Sequence, residues 1–94
     1  MYWYIAMEEK EWILHYMSTH VNEPIDMYNE NFVLCYIGQF HPENIKWFPY
    51  GAPNVPEINQ YLVQLYKDKK VKRYRHYNNC WRDGYPKWFY IYYL

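Results

Sequence analysis

The stretch Asn31-Phe32-Val33-Leu34-Cys35-Tyr36-Ile37-Gly38-Gln39-Phe40 decides how the rest of this chain is read. From Phe32 to Ile37 no side chain is charged, and Phe, Val, Tyr and Ile all favour extended backbone. A continuous apolar run is the pattern of a strand covered on both faces, which belongs at the centre of a sheet. Cys35, in the middle of the run, reads as a small buried hydrophobe.

Toward the C-terminus, residues 41–53 carry Pro42, Pro49, Gly51 and Pro53 and read as loop, with residues 45–48 as a short strand inside it. Asn54-Val55-Pro56-Glu57 has the form of a capping box: an Asx cap, proline in the first turn, and Glu three residues after the cap. Ile58, Tyr61, Leu62 and Leu65 follow at i, i+3, i+4 and i+7, and Lys67, Lys69 and Lys70 suit the negative end of a helix dipole. The spacing predicts a helix over 55–69. Residues 71–81 and 85–94 are both aromatic and β-favouring. Asp83-Gly84 between them signals a hairpin, and Pro86 confines the start of the return strand to an edge or unbonded position.

Toward the N-terminus, Trp12, Ile13, Tyr16, Met17 and His20 share one face of a helix predicted over 8–20, closed by residues 22–24. Glu8, Glu9 and Glu11 suit its positive end. Residues 2–7, YWYIAM, read as a first strand. The expected order is β-α-β-(β)-α-β-β, an α+β class with a small, mostly antiparallel sheet packed by two helices. Counting residues 45–48 as a strand gives a βαββαβ core with one extra C-terminal strand, the ferredoxin-like pattern.

At 94 residues the chain has room for one core, so 1–94 is expected to be a single domain. Hydrophobic residues make up 51% of it, too many for a disordered tail, and aromatic residues 24%, with 14 Tyr and 5 Trp. A domain of this size cannot bury every ring. Exposed Tyr and Trp suit binding, because they present large contact area at low entropic cost.

Net charge is zero, but residues 1–60 hold eight acids against Lys10 and Lys46, and residues 61–94 hold eight bases against Asp68 and Asp83. The halves carry −6 and +6, an asymmetry that marks an interaction surface or two halves that neutralise each other in the fold. Cys35 and Cys80 are too few for a disulfide framework, and whether they bridge is left open. The start of the chain lacks the basic segment of a secretory signal, and no apolar stretch is long enough to span a bilayer. A reduced, cytoplasmic setting without membrane attachment is the expectation.

Chemistry finds little support. His15, His20, His41 and His76, with the two cysteines, show no metal-ligand spacing, so neither a metal nor a cofactor is expected. Ser18 and Thr19 are the only aliphatic hydroxyls, and no nucleophile-elbow motif surrounds them. Cys80 near His76 is a weak candidate for an activated thiol. Glu8, Glu9, Glu11 and Glu57 are accounted for at helix starts, and Asp26 and Glu30 fall in an expected loop. Gly38, Gly51 and Gly84 are too scattered for a phosphate cradle.

One constellation remains. Lys69, Lys70, Lys72, Arg73, Tyr74, Arg75, Tyr77, Trp81 and Arg82 interleave bases with rings. Bases of this kind hold phosphates or carboxylates, and rings stack on nucleobases or fill protein pockets. On a strand, Arg73, Arg75 and Tyr77 share one face and Lys72, Tyr74 and His76 the other. The same charges on a solvated edge strand would block edge-to-edge pairing without any partner.

The composition, short, Tyr-rich and without a familiar motif, resembles that of small accessory proteins of phages and archaeal viruses, including inhibitors of host defence. That resemblance implies a protein partner in the host cytoplasm. The leading expectation is a non-enzymatic binding protein that docks on a macromolecule, most simply a protein, through an aromatic and charged surface. Direct DNA or RNA binding through residues 67–82 is the second reading, and a small nuclease-like enzyme with a dispersed site the third. An exposed aromatic strand at 87–94 also admits a homodimer built by sheet extension.

Overall fold

Residues 31–40 are helical. The computed structural model describes residues 7–48, 51–77 and 86–94. Within them the elements run α1 (Glu9–Thr19), α2 (Glu30–Phe40), β1 (Lys46–Trp47), β2 (Pro53–Asn54), α3 (Pro56–Lys67), β3 (Lys72–Tyr77) and β4 (Trp88–Tyr93). The fold is α+β, with three helices and two small antiparallel sheets among the described residues.

The expected central strand is therefore α2, and the reason is visible in its burial. Phe32, Val33 and Tyr36 are buried and Ile37 and Phe40 half-buried, while Leu34, Cys35 and Gly38 face outward. That is a helical period, not a two-sided strand. Asn29 starts the helix: its side-chain oxygen accepts from the Phe32 N–H at 3.0 Å. Cys35 is exposed and unbridged, contrary to its expected burial.

Without that strand the described residues do not build a ferredoxin-like sheet. The sheets are two separate pairs, β1 with β2 and β3 with β4. The short strand expected at 45–48 is present as β1. The expected first strand lies outside the described residues except for Met7, which precedes α1 without regular structure.

The other helices match their periodicity. In α1, Ile13, Tyr16 and Met17 are buried, and in α3, Ile58, Leu62 and Leu65. Proline occupies the first turn of α3 as expected, but the capping box does not form. Val55 is the cap residue and makes no side-chain cap bond. Asn54 pairs in β2, and its side-chain oxygen is buried with no partner among the described residues.

The core lies where the three helices meet, and it is filled by Ile13, Phe32, Val33, Tyr36, Val55, Ile58 and Leu62. Each such side chain contributes about 1.5–3 kcal/mol relative to exposure. Trp12 joins the helices, its ring centroid 5.9 Å from Phe32, 5.8 Å from Tyr36 and 5.7 Å from Phe40. Such offset and edge-on contacts suit aromatic quadrupoles.

The β3–β4 hairpin is rooted in this body at one end. Tyr92 is buried, and its N–H donates to the Ile25 carbonyl at 2.8 Å. Burial then falls along the hairpin, from Ile91 and Tyr92 to the exposed Tyr77 and Trp88. The molecule measures 49 × 30 × 22 Å, with a radius of gyration of 13.7 Å against about 12 Å for a compact chain of this length. Among the described residues, no helix is long and apolar enough to cross a membrane.

Candidate functional site

The sequence of β3, Lys-Arg-Tyr-Arg-His-Tyr, contains three bases and no acid. Its register on β4 pairs Lys72 with Tyr93, Arg73 with Tyr92, Tyr74 with Ile91, Arg75 with Tyr90, His76 with Phe89 and Tyr77 with Trp88. Opposed residues on an antiparallel pair share a face. Arg73, Arg75 and Tyr77 therefore lie with Tyr92, Tyr90 and Trp88. Lys72, Tyr74 and His76 lie on the other face, with Tyr93, Ile91 and Phe89. The expected division of β3 into two faces is what the register produces.

The first face is a ladder of guanidinium groups and rings. The Arg73 guanidinium carbon sits 3.8 Å from the Tyr66 ring centroid and 3.8 Å from that of Tyr90. Arg75 lies 4.3 Å over the Trp88 ring, and one of its Nη atoms donates to the Tyr77 hydroxyl at 3.3 Å. Cation–ring contacts at this distance are attractive, at about 0.5–1 kcal/mol in exposed sites. Neither guanidinium has a carboxylate partner among the described residues. The Tyr92 hydroxyl is sealed from solvent without a hydrogen bond of normal geometry among those residues. Burial pushes its pKa up, and the Arg73 charge beside it pulls the other way.

The second face is more mixed. Tyr74 and Tyr93 rings lie 6.0 Å apart and are about half exposed. His76 packs at 5.2 Å from Phe89, which also meets Tyr28 at 5.2 Å.

Lys69 and Lys70 sit where α3 hands over to β3. The Lys70 N–H donates to the Leu65 carbonyl at 2.9 Å and the Lys69 N–H to Tyr66 at 3.0 Å, the paired bonds of a Schellman ending. This ending holds Lys69 at φ 59°, a left-handed position where glycine is the usual residue. Beside it an open depression of ≈ 590 Å³ is lined by Tyr66, Lys67, Lys69, Val71, Lys72 and Arg73. Of the nine residues singled out in the sequence, seven thus gather on one arm and its root. Trp81 and Arg82 lie outside the described residues, as do Asp83-Gly84 and Cys80. Tyr66, Trp88 and Tyr90 were missed. The hairpin signal pointed to cross-strand partners for Arg73 and Arg75, but Tyr66 comes from the preceding helix.

The acidic half is used differently. Tyr36 donates its hydroxyl to Glu57, and Tyr61 donates to Glu9 Oε2 at 2.9 Å, so carboxylates expected only to start helices tie the three helices together. Burial and the Glu57 bond push the Tyr36 pKa far above its usual range. The Glu9 bond, with burial, pushes Tyr61 up to about 12, and burial, with Glu23 beside it, pushes Tyr16 up to about 12. Asp26 is buried, and burial raises its pKa although its carboxylate accepts the Tyr28 N–H at 2.7 Å. Glu30 is the first residue of α2 rather than part of a loop.

The Ser18 and Thr19 hydroxyls donate to the His15 carbonyl at 2.7 and 3.2 Å, closing the last turn of α1. Among the described residues no group of three or more His, Cys, Asp or Glu could hold a metal ion. Comparison with protein-family models, with curated proteins and with solved structures finds no match for this chain.

Proposed function

We propose that this chain is a non-enzymatic binding protein that docks on an acidic protein partner through the β3–β4 hairpin. The observation that carries the reading is the guanidinium–ring ladder. Arg73 is held between Tyr66 and Tyr90, and Arg75 over Trp88, with no carboxylate of their own among the described residues. Rings fix the position of each guanidinium and, apart from the N–H that Arg75 gives to Tyr77, leave edge N–H groups for a carboxylate acceptor, the group arginine recognises in this way. Tyr77, 62% exposed, and Trp88, 41% exposed, add anchor area of the kind that dominates protein interfaces. A small accessory protein that inhibits a host component by occupying it fits such an arm.

A protein partner is favoured over nucleic acid because the ring faces are already engaged. Bases would need the faces of Tyr66, Tyr90 and Trp88, which the guanidinium groups cover from one side. The cations around the open depression favour nucleic acid as the second reading.

The test compares the chain with an Arg75→Glu variant and an Arg73→Glu/Arg75→Glu double variant. The unaltered chain should retain one discrete protein from a source extract, and both variants should lose it while keeping the same circular dichroism spectrum. Retention of single-stranded oligonucleotide instead, with affinity that falls steeply as salt rises, would replace this reading with the second.

A further inference from the structure

The backbone of the hairpin points to how the partner is held. In an antiparallel pair, opposed residues alternate between those that exchange hydrogen bonds and those whose N–H and C=O groups point away from each other. The Tyr92 N–H is spent on Ile25, on the side of β4 away from β3. Arg73–Tyr92 is therefore a non-bonded pair. By alternation so are Arg75–Tyr90 and Tyr77–Trp88. The guanidinium–ring contacts on this face run diagonally between neighbouring pairs, from Arg73 to Tyr90 and from Arg75 to Trp88.

It follows that the N–H and C=O groups of Arg73, Arg75 and Tyr77 project outward from β3. β4 has its outward edge taken at Tyr92, so it is not the open strand that a homodimer through residues 87–94 would need along its whole length. β3 has no neighbour but β4 among the described residues. Among the described residues its run from Arg73 to Tyr77 is open and about 14 Å long, enough for a strand of ordinary length.

We infer that the open edge of β3 takes up an extended acidic segment of the partner as a third strand. This rests on the reading of the hairpin as a docking arm and specifies its occupant. Charge selects that occupant. The edge carries Lys72, Arg73 and Arg75 without an acid, so a second copy of β3 would set like charges opposite one another, which is unfavourable. Alternating acids on an incoming strand would meet Arg73 and Arg75 on one face while main-chain bonds form to the same residues. Strand addition of this kind draws affinity from the backbone and specificity from alternate side chains.

The experiment follows backbone amide exchange by NMR in the full chain, using as probe a capped peptide of about eight residues alternating Glu and Val. A matched peptide with Lys in place of Glu is the control. In the free protein the amides of Arg73, Arg75 and Tyr77 should exchange fast, and those of Tyr74 and His76, which bond to β4, slowly. The Glu peptide should slow the first three at least tenfold, and the Lys peptide should leave them unchanged. Arg75→Glu, altered only at an exposed side chain, should abolish that preference while Tyr74 and His76 stay slow, which reports an intact hairpin.

Binding of the Glu peptide without protection of the three amides would overturn the edge inference and leave the docking arm standing. Protection already complete in the free chain, or no binding of either peptide at millimolar concentration, would also overturn it. So would single-stranded DNA that competes through the same arginines with those amides still fast.

Discussion

Replacing Lys69 with glycine should stabilise the fold and weaken the docking arm. Lys69 occupies the left-handed position of the ending of α3, at φ 59°. A residue with a Cβ atom loses roughly 1–2 kcal/mol there, because Cβ crowds the following carbonyl. Glycine removes that cost but surrenders about 0.5–1 kcal/mol through the greater freedom of its unfolded chain. The lost charge near the negative helix end costs a few tenths of a kcal/mol more at an exposed site, since Lys67 and Lys70 remain. The net gain for Lys69→Gly is about 0.5 kcal/mol, or about 2–4 °C in Tm for a domain of this size. Lys69→Ala loses the same charge and keeps the strain, so it should melt at or slightly below the unaltered protein. The difference between the two variants, about 1 kcal/mol, is the sharper measure because the charge term cancels. Thermal and urea unfolding followed by circular dichroism read it directly. Equal stability of the two variants would refute the left-handed assignment of Lys69 and the Schellman ending built on it. The same glycine removes one of the cations lining the depression beside Arg73, so affinity for an acidic probe should fall as stability rises.

Three further outcomes follow from the body of the fold. Gly38 lies inside α2, and among the described residues no atom beyond its chain neighbours and its own helix backbone comes within 4 Å of where a Cβ would stand, so Gly38→Ala should raise stability by about 0.5–1 kcal/mol in urea unfolding. That result also separates helix from strand at 31–40, since a strand would gain little from alanine. Tyr36→Phe removes the donor to Glu57 and should cost about 1–2 kcal/mol, measured the same way, with Glu57→Gln costing less because an acceptor remains. At high pH, tyrosines in the unfolded chain ionise near pH 10, whereas Tyr16 and Tyr61 hold their protons to about 12. Their contribution to stability is full below pH 10 and is lost as pH rises from 10 toward 12, so the denaturant midpoint should fall across that window, and less steeply in Tyr61→Phe.

Local signals in the sequence were enough for α1, α3 and the hairpin. Helical spacing from Ile58 to Leu65 and from Trp12 to Met17 names the buried faces without help from the rest of the chain. The aromatic strands either side of Asp83-Gly84 led to β3 and β4, and period-two alternation was sufficient to put Arg73, Arg75 and Tyr77 on one face.

The identity of α2 was decided only by tertiary packing. An apolar run satisfies both a buried strand and a helix, and the Asn29 cap and the length of the run are the local signs that favour the helix. The partners of the arginines were likewise settled by the fold. The hairpin register is centred between positions 82 and 83, one residue before the centre of Asp83-Gly84, and Tyr66 arrives from another element. The roles of Glu9 and Glu57 depend on tyrosines far away in sequence. Composition and short-range periodicity determined which residues are basic, aromatic or amphipathic, because those properties belong to neighbours along the chain. Which ring covers which guanidinium, and which backbone edge is left open, depends on contacts between distant segments, and only the tertiary structure brings those together.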